Sequence, residues 1–135
     1  MNRAAIQRQL FKLPGSKGAL TTAFFQAFVA PTLVVNTRHE GLAFTMAEGV
    51  LQGDPLSPLL FALALQDPLR TAENALEAHG MVFAYLDDVV ILGPPLHAFR
   101  ALDAFRESAA VIGLRVNPAK SKLLTFDKSQ EQLRI

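Results

Sequence analysis

An α+β domain is predicted from three observations. Apolar residues recur at helical spacing in four stretches, and two pairs of short β-type runs are each joined by a tight turn. Half of the 135 residues are apolar and 19% are charged, a composition that folds rather than staying disordered. The order helix, helix, hairpin, helix, hairpin, helix, strand describes a layered α+β domain, and the length fits one domain.

Ile6, Leu10 and Leu13, with Arg3, Arg8 and Lys12 among them, form an amphipathic pattern that stops at Pro14-Gly15. A second helix over 20–30 follows the cap candidate Ser16, offers Phe24, Phe25 and Phe28 to the core, and ends before Pro31. Runs 32–37 and 42–46, joined by Arg38-His39-Glu40-Gly41, read as a hairpin. A loop with two glycines and two prolines, 49–58, then feeds a helix over 58–77, with Ser57 as N-cap, Pro58 in the first position and a bend near Pro68. The second hairpin pairs 81–86 with 89–92 around Asp87-Asp88. Phe99, Leu102, Phe105, Ala109 and Ile112 mark a helix that Gly113 stops, and a strand over 122–126 follows the Asn117-Pro118 turn. Residues 1–126 form the domain and 127–135 a polar tail.

Several function classes are excluded or left silent. With no cysteine the chain has no disulfide, thiolate zinc site or cysteine nucleophile. A net charge of +1 gives no basic footprint for nucleic acid. The start of the chain lacks the apolar core of a secretory signal, and the longest apolar run, 59–65, is far short of the roughly 20 residues of a membrane helix. His39, His79 and His97 show no metal-ligand spacing and receive no role.

The chemistry sits at Asp87-Asp88. Adjacent carboxylates at the turn of an apolar hairpin oppose each other's ionisation unless solvent or a cation takes up the charge. Mg2+, which takes one or two carboxylates together with substrate phosphates, suits the pair. A solvated turn suits it as well, because Asp is common in turns.

The surrounding residues add a family. Phe83-Ala84-Tyr85-Leu86-Asp87-Asp88-Val89-Val90-Ile91-Leu92 resembles the Tyr-x-Asp-Asp hairpin of reverse transcriptases. Upstream, Gln52-Gly53-Asp54-Pro55-Leu56-Ser57-Pro58-Leu59-Leu60-Phe61 is similar to the family's motif B in the form found in non-LTR retrotransposons and group II introns. Downstream, Gly113-Leu114-Arg115-Val116-Asn117-Pro118-Ala119-Lys120-Ser121-Lys122 is similar to motif D.

The resemblance implies an incomplete polymerase palm: a ferredoxin-like (RRM-like) sheet with helices on one face and the first catalytic strand missing. It implies that Asp87 and Asp88 ligate two Mg2+ ions, that Lys120, with Lys122 as its rival, assists the leaving pyrophosphate, and that Gln52, Gly53 and Tyr85 contact nucleotide, template and primer end. Asp54, Pro55 and Ser57 are expected to shape the loop and helix start. The implied partners are an RNA template, a DNA primer and a deoxynucleotide, with no membrane.

The chain is expected to begin just after motif A, which carries the first catalytic aspartate, and to lack fingers and thumb. It is therefore expected to be inactive alone, with a sheet edge left bare. The alternative is a non-catalytic palm fragment that binds nucleic acid or a protein partner.

Overall fold

A computed structural model describes residues 1–14, 18–28, 32–35 and 43–125. Helix α1 (Arg3–Lys12) starts at Asn2, whose side chain accepts the Ala4 N–H at 2.8 Å. It buries Ile6 and Leu10, as the spacing predicts, and Ala5 beside them, whereas Leu13, expected on the same stripe, is the C-cap and lies exposed because the helix has already ended. Helix α2 (Ala19–Phe28) buries Phe24 and Phe28 with ring centroids 5.9 Å apart. Phe25 instead lies at the surface, edge-on to Phe24, because it points away from the side of α2 that meets the core. The predicted cap Ser16 lies outside the described residues.

Arg3 ties three segments together. Its Nη1 donates to the Phe28 carbonyl at 2.8 Å, its Nε donates to the Gly49 carbonyl at 3.1 Å, and its guanidinium lies 5.6 Å from the Phe28 ring centroid. The orphan carbonyls at the end of α2 thus gain a charged donor.

Strands β1 (Thr32–Val35) and β2 (Ala43–Met46) pair antiparallel from Thr32↔Met46 to Val35↔Ala43. The predicted turn, with His39, lies outside the described residues. Helix α3 (Ser57–Ala75) runs through Pro68, which is fully buried. Its N-cap is Leu56 and Ser57 is its first residue, which corrects the assignment of Ser57 as the cap. The reason is local: Asp54 Oδ1 already accepts the Leu56 N–H at 2.7 Å and the Asp54 carbonyl accepts the Ser57 N–H at 3.1 Å, so the turn closes before the serine. The Ser57 hydroxyl is buried without a partner among the described residues.

Strands β3 (Met81–Tyr85) and β4 (Asp88–Leu92) form the second hairpin, in register from Met81↔Leu92 to Tyr85↔Asp88. Helix α4 (Pro95–Val111) starts four residues before Phe99, since Pro95 suits a first turn where no N–H is needed. It ends in a Schellman motif. Gly113 takes φ 77°, its N–H donates to the Ala110 carbonyl, and the Leu114 N–H donates to the Ala109 carbonyl at 2.9 Å.

The described strands make two separate two-stranded sheets, so the class is α+β but one continuous sheet is not formed among them. The strand predicted over 122–126 is absent from 122–125, which no ladder pairs, and Phe126 lies outside the described residues.

Two apolar clusters hold the elements. Ile6, Leu10, Phe24, Phe28 and Leu60 belong to one; Leu65, Leu76, Ala101, Phe105 and Ala109 belong to the other. Lys12 and Asp67 also join α1 to α3, with Nζ 3.0 and 2.9 Å from the two carboxylate oxygens, but both side chains are about half exposed. Such a pair is worth about 0–1 kcal/mol, whereas truncating a buried leucine such as Leu60 costs about 2–5 kcal/mol. The cluster, not the ion pair, therefore fixes α1.

Two outcomes are expected in chemical denaturation followed by circular dichroism. Gly113→Ala places a Cβ at positive φ, 3.4 Å from the Asn2 nitrogen, and lowers stability by about 1–2 kcal/mol. Hydrogen bonds from Lys12 and then Gln9 hold the Asp67 carboxyl below its ordinary pKa, against an opposing effect of burial. A depressed folded pKa adds stability that is complete above the ordinary carboxylate range and is lost as pH falls through the folded value. Asp67→Asn therefore lowers stability by about 0.5 kcal/mol near neutrality and by nothing in strong acid.

Candidate functional site

The register Tyr85↔Asp88 leaves a two-residue turn, Leu86-Asp87, at the tip of the β3–β4 hairpin. A turn this short demands unusual backbone angles, and Leu86 takes φ 53°, where a non-glycine residue is strained by about 1–2 kcal/mol. That geometry presents Asp87 at the turn while Asp88 begins β4. Alternation along the strands puts Val82, Ala84, Val89 and Ile91 toward α3 and α4. Met81, Phe83, Tyr85 and Val90 occupy the opposite face, which is open to solvent, while Asp88, the first residue of β4 beside the turn, is exposed. Tyr85 is 79% exposed.

Asp87 and Asp88 line one end of a groove of about 740 Å³. Phe99 and Phe105 of α4 contribute to its apolar floor, and Arg115, Lys120 and Lys122 add cations from the segment after α4. Lys120 is placed by a compact turn: the Asn117 side chain accepts the Ala119 N–H at 3.1 Å, and the Asn117 carbonyl accepts the N–H groups of Lys120 and Ser121 and the Ser121 hydroxyl.

Among the described residues no ion pair or hydrogen bond neutralises either carboxylate, and no third carboxylate or imidazole joins the two in one cluster. The pair is exposed, so its oxygens remain available to solvent or a hard cation.

The loop before α3 stands apart. Gly53 takes φ 90° with nothing within 4 Å of where a Cβ would sit, and Gln52 is exposed. Neither lines the groove, nor does Tyr85. Asp87, Asp88 and Lys120 thus line one groove, whereas Gln52, Gly53 and Tyr85 lie outside it. Two residues, one in the groove and one at the hairpin tip, had no role assigned from the sequence. Arg115 follows the Gly113 stop and reads as an ordinary surface arginine, and Leu86 carries none of the glycine or asparagine signal that marks a turn with positive φ.

Comparison with known proteins gives these features a lineage. The family described as reverse transcriptase (RNA-dependent DNA polymerase) matches residues 5–134. The chain is 39% identical over 84 residues to a retrovirus-related Pol polyprotein from a type-1 retrotransposable element R2 of Bradysia coprophila, covering 58% of this chain and 10% of that protein. It is 34% identical over 83 residues to the Pol polyprotein of the type-2 retrotransposable element R2DM of Drosophila melanogaster, covering 57% of this chain and 8% of that protein. The chain therefore spans about a tenth of the length of these relatives. No solved structure matches it. With the family's pattern covering nearly its whole length, the chain belongs to the reverse transcriptases and is related to the Pol polyproteins of R2 retrotransposons.

Proposed function

We propose that this chain is part of the polymerising palm of a non-LTR-type reverse transcriptase, in which Asp87 and Asp88 hold the catalytic Mg2+ ions. The observation that carries the reading is the shared groove of Asp87, Asp88 and Lys120, two acids and a cation from segments far apart in sequence. In this reading α3 and α4 are the helical layer behind a ferredoxin-like sheet, and an edge of the β3–β4 hairpin receives the strand that carries a further aspartate.

The donor set fits the ions. Two adjacent, exposed carboxylates that form no ion pair among the described residues are oxygen ligands of the kind Mg2+ takes, alongside waters and substrate phosphates. Asp87 and Asp88 would hold such ions, which would supply charge relief at the attacking hydroxyl and the leaving pyrophosphate. The protein's residues do the rest. Asp87 at the turn orients the ligand oxygens, and Asp88 adds a second set one residue on. Lys120 offsets charge on the pyrophosphate oxygen as its bond to the α-phosphorus breaks, and can donate a proton there. The Gly53 backbone, free of a side chain, lies against nucleotide and template, with Gln52 beside it. Tyr85, next to Asp88, supports the primer end. RNA template, DNA primer and deoxynucleotide are the partners.

Two adjacent acids from one turn do not supply the opposing carboxylate that a two-ion site uses. Incubated alone with a primed RNA template, Mg2+ and deoxynucleotides, the chain is expected to give no extension. Template-dependent extension that vanishes in Asp87→Asn would show that no further carboxylate is needed. Ion binding is tested separately: Mn2+ broadens the amide resonances of residues 86–89, and Asp87→Asn abolishes this; equal broadening in the variant would remove Asp87 from the site.

A second reading is a non-catalytic fragment that binds nucleic acid or a protein partner, and the half-exposed apolar side chains Met81, Phe83 and Val90 of the β3–β4 hairpin favour it. Its mark is nucleic-acid binding that neither chelation of divalent ions nor Asp87→Asn alters.

A further inference from the structure

At the base of the β3–β4 hairpin, the end opposite Asp87, a second set of potential ligands converges. One donor atom each from Glu77, His79 and His97 lies within 4.8 Å of the other two. The convergence is built by the backbone. Helix α3 ends with Leu76 as its cap, and Glu77 and Ala78 then both enter the left-handed region, at φ 50° and 63°. Two consecutive non-glycine residues there store strain, which persists only where the surroundings enforce it.

The next step is enforced by contact. A Cβ on Gly80 would sit 2.0 Å from the Leu92 carbonyl oxygen, and one on Gly93 would sit 3.1 Å from the His79 carbonyl oxygen. At position 80 only glycine allows the two ends of the hairpin to press together this closely. The first turn of α4 is thereby delivered beside His79, and the His79 and His97 rings stack with centroids 4.4 Å apart and planes 26° apart.

A second, independent observation concerns His97 itself. Its Nδ1 is shielded from solvent and has no hydrogen-bond partner among the described residues. A buried imidazole nitrogen without a partner costs about 1–3 kcal/mol, and a bound cation would satisfy it. Glu77 and His79 are exposed, so an ion has access from solvent.

We propose that Glu77, His79 and His97 form a site for a Zn2+-class transition-metal ion, independent of the Mg2+ reading of Asp87 and Asp88. Two imidazole nitrogens and one carboxylate oxygen are a borderline donor set that Zn2+ takes, with a water in the fourth position. Mg2+ and Ca2+, which select all-oxygen sites, are disfavoured. Donor atoms around tetrahedral Zn2+ lie about 3.4 Å apart. The ligand set therefore closes on the ion, the exposed Glu77 and His79 side chains moving, and the rings unstack enough for their nitrogens to converge. The bound ion staples the end of α3 to the start of α4 and clamps the root of the hairpin that carries Asp87.

The chain suits a clean test, because it holds three histidines and no cysteine. The probes are Zn2+ and Co2+ alone, added to the full chain. Zn2+ is expected to bind with 1:1 stoichiometry and raise the melting temperature, and to shift two of the three imidazole proton signals. Co2+ is expected to give the intense visible bands of four-coordination. His79→Ala and Glu77→Gln, both at exposed positions, reduce affinity at least tenfold, as does His97→Ala, while His39→Ala changes nothing. Circular dichroism of each ion-free variant checks that it folds. Binding that survives the His79→Ala variant, a Co2+ spectrum of octahedral type, or absence of a thermal shift with Zn2+ each overturn the site.

Discussion

Helix α3 must be apolar on two sides at once, and the positions of the other elements follow from that requirement. Leu60, Leu63 and Ala64 face the cluster made with α1 and α2, while Leu65, Ala72 and Leu76 face the cluster made with α4. A helix lodged between two layers cannot shift for one without disturbing the other, since close-packed interiors transmit displacement rather than absorb it. Pro68 shows how strongly packing rules here. It gives up a hydrogen bond within the helix, yet is fully buried and the helix continues past it.

The hairpin inherits its position from this arrangement. One face, with Val82, Val89 and Ile91, packs against the α3–α4 layer, and the tight contact of Gly80 with Leu92 fixes the root. The tip therefore projects Asp87 and Asp88 from an anchored base. Precision at such a tip depends on the strained Leu86 turn, an arrangement often kept where chemistry needs a side chain aimed in one direction. The opposite face, with Met81, Phe83 and Val90 about half exposed, is apolar and uncovered in the described structure. The sequence led us to expect a bare edge; the structure adds a bare face.

The sequence disclosed most of what depends on periodicity. Ile6 and Leu10, Phe105 and Ala109, and the Gly113 stop all lie where helical spacing puts them, because each buries a stripe or ends one. It disclosed less where several local solutions compete. Ser57 and Asp54 could each have ended the loop, and the aspartate wins by closing its turn first. Residues 122–125 have strand composition, but composition does not supply a ladder partner. At the candidate site, Asp87 and Asp88 were legible as adjacent charges in an apolar setting. That Lys120 shares their groove depends on the path after α4, which no spacing encodes. The meeting of His79 with His97 was invisible for the same reason: eighteen positions separate them, and only glycine-to-backbone contacts across the hairpin root bring them together.

Tyr85 is the chain's one tyrosine, and there is no tryptophan. The near-ultraviolet emission of the whole molecule thus comes from a single, highly exposed ring beside Asp88. An ion, nucleotide or strand arriving at the hairpin tip would register there without any added label. Loosening of the phenylalanine-rich cluster around α1 and α2 would pass almost unseen at the same wavelength. The protein carries a native optical reporter for its candidate site and is nearly dark everywhere else.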